Sequence, residues 1–213
     1  MTDGEELSEE AIETGRKLFA QTADFMLGVV DLEGLPDEGP PEIAFAGRSN
    51  VGKSTLLNAL TGQNGLARAS NTPGRTREIN FFDLAARLRL VDLPGYGYAK
   101  VSRKDVEAWT QLTRDFLKGR TTLRRVCVLI DSRHGLKASD LEILDLLDLA
   151  AVNYQIVLTK TDKIKPTALA SVTEKTAAAI RKRPAAHPVI MATSAQTGDG
   201  IPALRAELAA LSE

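Results

Sequence analysis

The chain contains 213 residues, 43% of them hydrophobic, which is enough to bury the core of one domain. Its one cysteine, Cys127, lies in an apolar strand candidate, so we expect a buried core residue in a chain without an intrachain disulfide, typical of a reducing compartment. No apolar run approaches the ~20 residues of a membrane span, and the acidic start is unlike a signal peptide. We therefore expect a cytoplasmic protein with no membrane partner.

The formal net charge of -1 hides an uneven distribution. Residues 1–42 contain 12 acidic and 2 basic residues, a net charge of -10, whereas the rest of the chain carries +9. A basic body favours a polyanionic partner, or an acidic leader that competes for the same surface; the alternative is scattered, solvated bases. The basic residues concentrate in four groups: Arg68, Arg75 and Arg77; Lys100, Arg103 and Lys104; Arg114, Lys118, Arg120, Arg124 and Arg125; and Arg181, Lys182 and Arg183.

Residues 1–41 are predicted to form an acidic N-terminal extension with a helix from Glu9 to Leu27 and a turn-rich linker after it. From residue 42, strand and helix candidates alternate, which predicts an α/β fold with helices on both faces of a six-stranded, mostly parallel sheet. Segments 78–84 and 86–91 are nearly contiguous and are expected to form an antiparallel edge hairpin. The other strands are expected near 42–46, 125–130, 154–158 and 188–191, and helices near 53–61, 104–118, 139–150, 167–182 and 200–211.

The segment from Gly47 to Ser54 matches G-x-x-x-x-G-K-[ST], the phosphate-binding loop (P-loop), between a strand candidate and a helix candidate. Its glycines let backbone N–H groups point at phosphate oxygens, and the helix N-terminus adds partial positive charge. Lys53 is expected to reach the β- and γ-phosphates, and the Ser54 hydroxyl to ligate Mg²⁺. The predicted nucleotide contacts here are Gly47, Arg48, Ser49, Asn50, Val51, Gly52, Lys53, Ser54 and Thr55.

Two further segments complete the predicted phosphate and metal site. In the D-x-x-G motif that follows a strand candidate, Asp92 is expected to hold Mg²⁺ through water and the Gly95 N–H to bond the γ-phosphate. Thr76 is the candidate switch threonine that completes Mg²⁺ coordination, so the predicted metal ligands are Ser54, Thr76 and Asp92. The predicted nucleotide contacts in these segments are Asn71, Thr72, Pro73, Gly74, Arg75 and Thr76, and then Asp92, Leu93, Pro94 and Gly95.

The segment from Thr159 to Asp162 matches [NT]-K-x-D, with threonine where asparagine is commoner. The Asp162 carboxylate can accept bonds from the guanine N1–H and exocyclic amine, a donor pair that adenine lacks, and the Lys160 stem would lie over the base. Small residues at Thr193, Ser194 and Ala195 would let a backbone N–H reach the guanine oxygen. All these motifs follow strands, and the carboxyl ends of strands form the ligand crevice of such sheets. The sequence therefore predicts GTP and GDP binding.

Together these motifs, with Asp92-Leu93-Pro94-Gly95-Tyr96-Gly97-Tyr98-Ala99 and Asp131-Ser132-Arg133-His134, resemble the EngB (YihA/YsxC) family of bacterial GTPases over roughly residues 40–213. The resemblance implies a Ras-like GTP-binding domain at 42–213, GTP hydrolysis and a role in large ribosomal subunit assembly, with the subunit or its rRNA-containing precursor as partner. It also implies a contribution to division-septum formation. No DNA partner is expected, and the protein is expected to be a monomer.

Hydrolysis is expected to be slow, because Tyr96 stands where Ras-type enzymes place the water-orienting glutamine. The groups expected to act in catalysis are Lys53, Thr76, Gly95 and Asn50. The chain resembles cation-activated GTPases in carrying Asn50, which would help to ligate K⁺ between the phosphates; alternatively, Asn50 only turns the loop, and a bound partner orders the site. Two other functions stay open: a metabolic P-loop kinase, against which [NT]-K-x-D argues, and a binding module with vestigial hydrolysis.

Overall fold

The computed structural model describes residues 7–67, 78–96 and 103–212, with side chains for all of these except 103–110. The strands are β1 (Ala23–Val29), β2 (Glu42–Gly47), β3 (Ile79–Leu84), β4 (Leu88–Asp92), β5 (Leu123–Asp131), β6 (Tyr154–Thr159) and β7 (Met191–Ala192). The helices are α1 (Glu9–Phe19), α2 (Lys53–Thr61), α3 (Arg103–Gly119), α4 (Ala138–Leu149), α5 (Pro166–Ile180) and α6 (Ile201–Ala209).

The strands form one sheet in the order β1-β3-β4-β2-β5-β6-β7. Strands β4, β2, β5, β6 and β7 are parallel to their neighbours in that part of the sheet, whereas β3 pairs antiparallel with both β4 and β1. The α/β fold and the predicted hairpin are thus confirmed. The described part of the chain has seven strands rather than six, and the hairpin is not at the edge, because β1 covers it.

The extra strand corrects the prediction of one helix from Glu9 to Leu27. Helix α1 ends at Phe19, and β1 then pairs with β3 from Ala23 to Val29. The start of β1 is held from a distance: the Gln63 carboxamide accepts from the Ala23 N–H at 2.8 Å and donates to the Ala23 carbonyl at 2.9 Å. The apolar residues of this segment suit a helix or a strand, and the contact with β3 decides between them.

Helices cover both faces of the sheet. On one face α1, α2 and α6 pack on a core that contains the apolar side of α2, formed by Leu56, Leu57 and Leu60, all at most 1% exposed. On the other face α3, α4 and α5 pack on the alternate strand residues. Cys127 is fully buried, as predicted, and this burial raises the pKa of its thiol to about 12.

Residues 7–41 share this sheet and core. Gly15 of α1 lies so close to α6 that a Cβ would sit 2.5 Å from the Ala206 nitrogen, so the two helices need glycine there. The linker before β2 is held by Arg120, whose guanidinium donates to the buried Glu42 carboxylate at 2.6 and 2.8 Å and to the Pro36 carbonyl at 2.8 Å. Among the described helices, none combines the length and apolar character needed to cross a membrane.

Candidate nucleotide-binding site

The P-loop connects β2 to α2, as the motif predicts. Its turn is closed by a bond from the Val51 N–H to the Arg48 carbonyl at 3.0 Å, and Asn50 and Gly52 take left-handed conformations, with φ of 64° and 105°. The Leu56 N–H donates to the Gly52 carbonyl at 2.8 Å, at the start of α2. The N–H groups of Lys53, Ser54 and Thr55, in the first turn of α2, have no acceptor within the helix. The loop and this helix end can therefore bind an anion.

The first glycine of the loop is required by packing. A Cβ on Gly47 would lie 2.7 Å from Val51 Cγ1 and 3.1 Å from Leu129 Cβ, closer than side chains tolerate. The loop therefore bends back tightly over the ends of β2 and β5.

The D-x-x-G motif runs beside this loop. The Leu93 N–H donates to the Phe45 carbonyl at 3.0 Å, which continues the pairing of β4 with β2. Lys53 Nζ forms an ion pair with Asp92 Oδ1, and their side chains are only 12% and 8% exposed. A Cβ on Gly95 would lie 3.2 Å from the Ser49 hydroxyl oxygen. Lys53, Asp92 and Gly95 thus meet at one edge of the sheet.

The side chains at this edge fit a magnesium ion bound together with a nucleotide. Within the described ranges there is no cluster of three or more His, Cys, Asp or Glu that could hold a metal by itself. Mg²⁺ does not need one, because it usually takes one or two protein oxygens and completes its octahedron with phosphates and waters. The Ser54 hydroxyl at the start of α2 and the Asp92 carboxylate at the end of β4 are such oxygens. The third predicted ligand, Thr76, lies outside the described residues.

Two side chains join the T-K-x-D motif to the P-loop. The ammonium group of Lys160, a residue with a left-handed φ of 58°, donates to the Asn50 carbonyl at 2.6 Å. The Thr159 hydroxyl, at 4% exposure, donates to the Val51 carbonyl at 2.7 Å. Threonine at this position therefore ties the T-K-x-D segment to the P-loop.

Asp162 has an ionised carboxylate held on both oxygens. Lys163 Nζ lies 2.9 Å from Oδ2, and the Ser194 hydroxyl donates to Oδ1 at 2.7 Å. The Lys163 and Ser194 hydrogen bonds lower the pKa of this carboxyl group. Ser194 therefore binds the Asp162 carboxylate directly, a role that its small size did not predict. The neighbouring Ala195 amide donates to no acceptor among the described residues and is free to bond a ligand.

Asp131 is a site residue to which the sequence motifs assigned no role. Its carboxylate pairs with Lys160 Nζ at 2.9 Å and accepts from the Arg133 guanidinium at 2.7 and 2.9 Å. Burial raises the pKa of Asp131, but the hydrogen bonds from Arg133 and Lys160 outweigh burial and leave the pKa well below its usual value. Asp131 therefore stays ionised and holds the lysine that crosses to the P-loop.

Tyr96 is a packed residue. Its side chain is 6% exposed, and its hydroxyl donates to the Asp140 carboxylate of α4 at 2.9 Å. Burial and the Asp140 charge raise the pKa of the phenol far above its usual value. The Tyr96 hydroxyl points into the protein core, so it does not take the place of the water-orienting glutamine.

The remaining sequence predictions divide into two sets. The segment Asn71–Thr76 and the basic residues Arg68, Arg77 and Lys100 lie outside the described ranges, as do the side chains of Arg103 and Lys104. Three of the predicted polyanion-binding arginines are engaged internally: Arg120 pairs with Glu42, Arg125 with Glu207, and Arg183 with Asp145 and Asp148. The exposed members of those groups are Arg114, Lys118, Arg124, Arg181 and Lys182.

Comparison with known proteins agrees with this geometry. A family model described as "50S ribosome-binding GTPase" matches residues 42–160. The "Probable GTP-binding protein EngB" of Caulobacter vibrioides is 58% identical over 206 residues, which cover 97% of this chain and 90% of that protein. Its counterpart in Hyphomonas neptunium is 56% identical over 209 residues, covering 97% and 95%.

A solved structure supports the same conclusion. The crystal structure of a probable GTP-binding protein EngB superimposes with a TM-score of 0.63 at 26% sequence identity, and the match covers 80% of this chain and 98% of that one. The α/β fold with its P-loop is the one expected from the resemblance. The chain belongs to the EngB family of GTP-binding proteins and is a GTPase.

Proposed function

We propose that this GTPase is a Mg²⁺-dependent switch that assists assembly of the large ribosomal subunit in the cytoplasm. In its GTP-bound state the protein binds the precursor of the subunit, and it leaves the precursor after GTP hydrolysis. One observation carries the nucleotide part: Lys160 and Thr159 tie the base-reading motif to the P-loop at 2.6 and 2.7 Å, so the phosphate and base sites form one unit. The ribosomal part rests on the family description and on the exposed basic residues. A contribution to division-septum formation is proposed from the resemblance alone.

In this proposal the chain's own groups hold each part of GTP. The P-loop amides and Lys53 bind the phosphates, and the Gly95 N–H bonds the γ-phosphate. Asp162 and the Ala195 amide read the guanine. Ser54, Thr76 and Asp92 would hold Mg²⁺, which would supply positive charge to the phosphates. The nucleotide contacts proposed for the segment outside the described ranges are Asn71, Thr72, Pro73, Gly74, Arg75 and Thr76.

Asn50 is the proposed ligand of an activating K⁺. It is exposed at the tip of the P-loop with a φ of 64°, and its backbone carbonyl is held by Lys160, so the backbone that carries its side chain is fixed. Hydrolysis measured in KCl and in NaCl at equal ionic strength tests this role. We expect faster turnover in KCl, and we expect the difference to vanish in Asn50→Ala; equal rates in both salts for the wild type would remove K⁺ from the proposal.

The exposed side of α3 is the proposed ribosome contact. Arg114 and Lys118 are four residues apart and both exposed, so they project from the same side of the helix. Helix α3 is the next helix in the chain after the D-x-x-G segment and begins at Arg103, so a change of that segment with the nucleotide state can be passed on to it. Because lysine and arginine contacts to RNA phosphates release counterions, binding should weaken steeply as salt rises.

Pelleting with purified large-subunit precursors tests the proposal, using a non-hydrolysable GTP analogue or GDP at two KCl concentrations. We expect the wild type to pellet mainly with the GTP analogue, and Arg114→Glu/Lys118→Glu to lose that binding. The matched control is Arg181→Glu/Lys182→Glu, an equal charge change after α5, which should bind nearly as the wild type does. Equal binding with GDP and with the GTP analogue would contradict the switch, and equal losses in both double variants would reduce the contact to general charge attraction.

A further inference from the structure

Tyr96, the residue after D-x-x-G, is fixed on three sides. Its N–H donates to the Gly47 carbonyl at 3.2 Å, and its carbonyl accepts from the Ser49 N–H at 3.1 Å. These two bonds place it alongside Arg48 as a short parallel bridge. The third contact is the hydroxyl bond to Asp140 of α4 at 2.9 Å. The peptide between Gly95 and Tyr96 is thereby held between the P-loop and α4.

Asp140 divides its carboxylate between two donors. Oδ1 accepts from the Tyr96 hydroxyl, and Oδ2 accepts from the Lys137 N–H at 2.8 Å, as a cap of the first turn of α4. The residue is 1% exposed. A carboxylate so deeply buried and so fully used is a rigid anchor, because losing either donor would leave a buried acceptor without a partner.

We propose that Tyr96 and Asp140 are positioning residues that hold the Gly95 N–H where it meets the γ-phosphate, so that their hydrogen bond sets the preference of the site for GTP over GDP. The inference rests on the proposed role of Gly95 in γ-phosphate binding. Gly95 lies so close to Ser49 that a Cβ on Gly95 would come within 3.2 Å of the Ser49 hydroxyl oxygen. The Gly95 N–H donates to no described residue. A small shift of Tyr96 would therefore move this amide relative to the P-loop.

The physical argument separates the two nucleotides. GTP gains a bond from Gly95 that GDP cannot make, because GDP has no γ-phosphate. Loosening Tyr96 should weaken that bond and leave the P-loop contacts to the α- and β-phosphates in place. The ratio of GTP-analogue affinity to GDP affinity therefore reports on positioning, whereas a general loss of stability would change both affinities together.

The test uses Tyr96→Phe, Asp140→Asn and the double variant in the full-length protein. In Asp140→Asn the amide oxygen can cap Lys137 while its N–H₂ donates to the Tyr96 hydroxyl, so the link is kept in neutral form. Tyr96→Phe breaks the link and leaves a buried carboxylate oxygen unpaired. The double variant breaks the link without that charge. Tyr154→Phe is the matched control, since the Tyr154 hydroxyl is buried without a hydrogen-bond partner among the described residues.

Titrations with fluorescent GDP and a fluorescent non-hydrolysable GTP analogue, with thermal unfolding of each variant, decide the outcome. We expect Tyr96→Phe and the double variant to lose about tenfold in the affinity ratio, Asp140→Asn to lose less because it keeps one hydrogen bond to Tyr96, and Tyr154→Phe to stay within about twofold of the wild type. If the double variant regains both its stability and the wild-type ratio, the effect of Tyr96→Phe was only its unpaired charge, and the proposal is overturned. An unchanged ratio in Tyr96→Phe also overturns it, while a wild type that binds neither nucleotide would instead refute the proposed function.

Discussion

Replacing Asp131 by alanine should weaken the binding of GTP and the binding of GDP to the same extent. The change removes the carboxylate that lies 2.9 Å from Lys160 Nζ, and it leaves Lys160 with the Asn50 carbonyl as its acceptor. A hydrogen bond between charged groups contributes about 1.5–3 kcal/mol. The Lys160 side chain is 26% exposed and keeps its second partner, so we expect about 1 kcal/mol of binding free energy, or roughly fivefold in Kd.

The matched control for this prediction is Arg133→Ala. Arg133 is the other cation on Asp131, but its side chain is 43% exposed and its guanidinium lies 2.7 Å from the carboxylate without reaching the P-loop. We expect less than about a twofold change in Kd, because solvent screens this pair. Isothermal titration with both nucleotides, after thermal unfolding has shown each variant to be folded, measures the effect. Equal losses in the two variants, or wild-type affinity in Asp131→Ala, would refute the view that Asp131 acts by holding Lys160.

Three further predictions address the base, the β3–β4 turn and the buried thiol. Asp162→Asn should shift binding from guanine towards xanthine nucleotides, because the amide N–H₂ meets a carbonyl in place of an amine; GTP binding that stays at wild-type strength would remove Asp162 from base recognition. Ala86→Gly should raise the free energy of unfolding in urea by about 0.5–1 kcal/mol, since Ala85 and Ala86 both have positive φ, 55° and 52°, which glycine adopts without strain; a loss of stability would show that the turn is not strained. Burial favours the neutral thiol of Cys127, so its pKa is about 12 in the folded state against ~8.5 in the unfolded state. The stability of the protein is therefore retained below about pH 8.5 and falls as the pH rises towards 12; rapid labelling of the native protein by a thiol reagent at pH 8 would contradict this burial.

Much of the site follows from short stretches of sequence. The P-loop motif is defined by glycines a few residues apart, and the structure confirms the order of strand, loop and helix around it. Helix α2 has the predicted bounds, Lys53–Thr61, because its start is the P-loop itself and its end is Gly62 with a φ of 65°. The placement of D-x-x-G and T-K-x-D after strands likewise follows from local patterns.

Other features depend on partners far along the chain, and the sequence alone did not indicate them. Residues 23–29 become a strand because β3, 50 to 61 positions away along the chain, pairs with their backbone, and because the Gln63 side chain, 40 positions from Ala23, holds the first residue. The charge clusters likewise gave no sign that Arg120, Arg125 and Arg183 are committed to internal carboxylates.

The sequence by itself determined the fold class, the guanine-nucleotide motifs and the family, because each depends on residue types at short, fixed spacings that set local backbone geometry. Only the tertiary structure decided how the motifs are joined: Lys160 to Asn50 across 110 positions, and Tyr96 to Asp140 across 44. Such contacts form when packing brings distant segments together and buries their polar groups, and a buried donor or acceptor must then find whatever partner the fold places beside it.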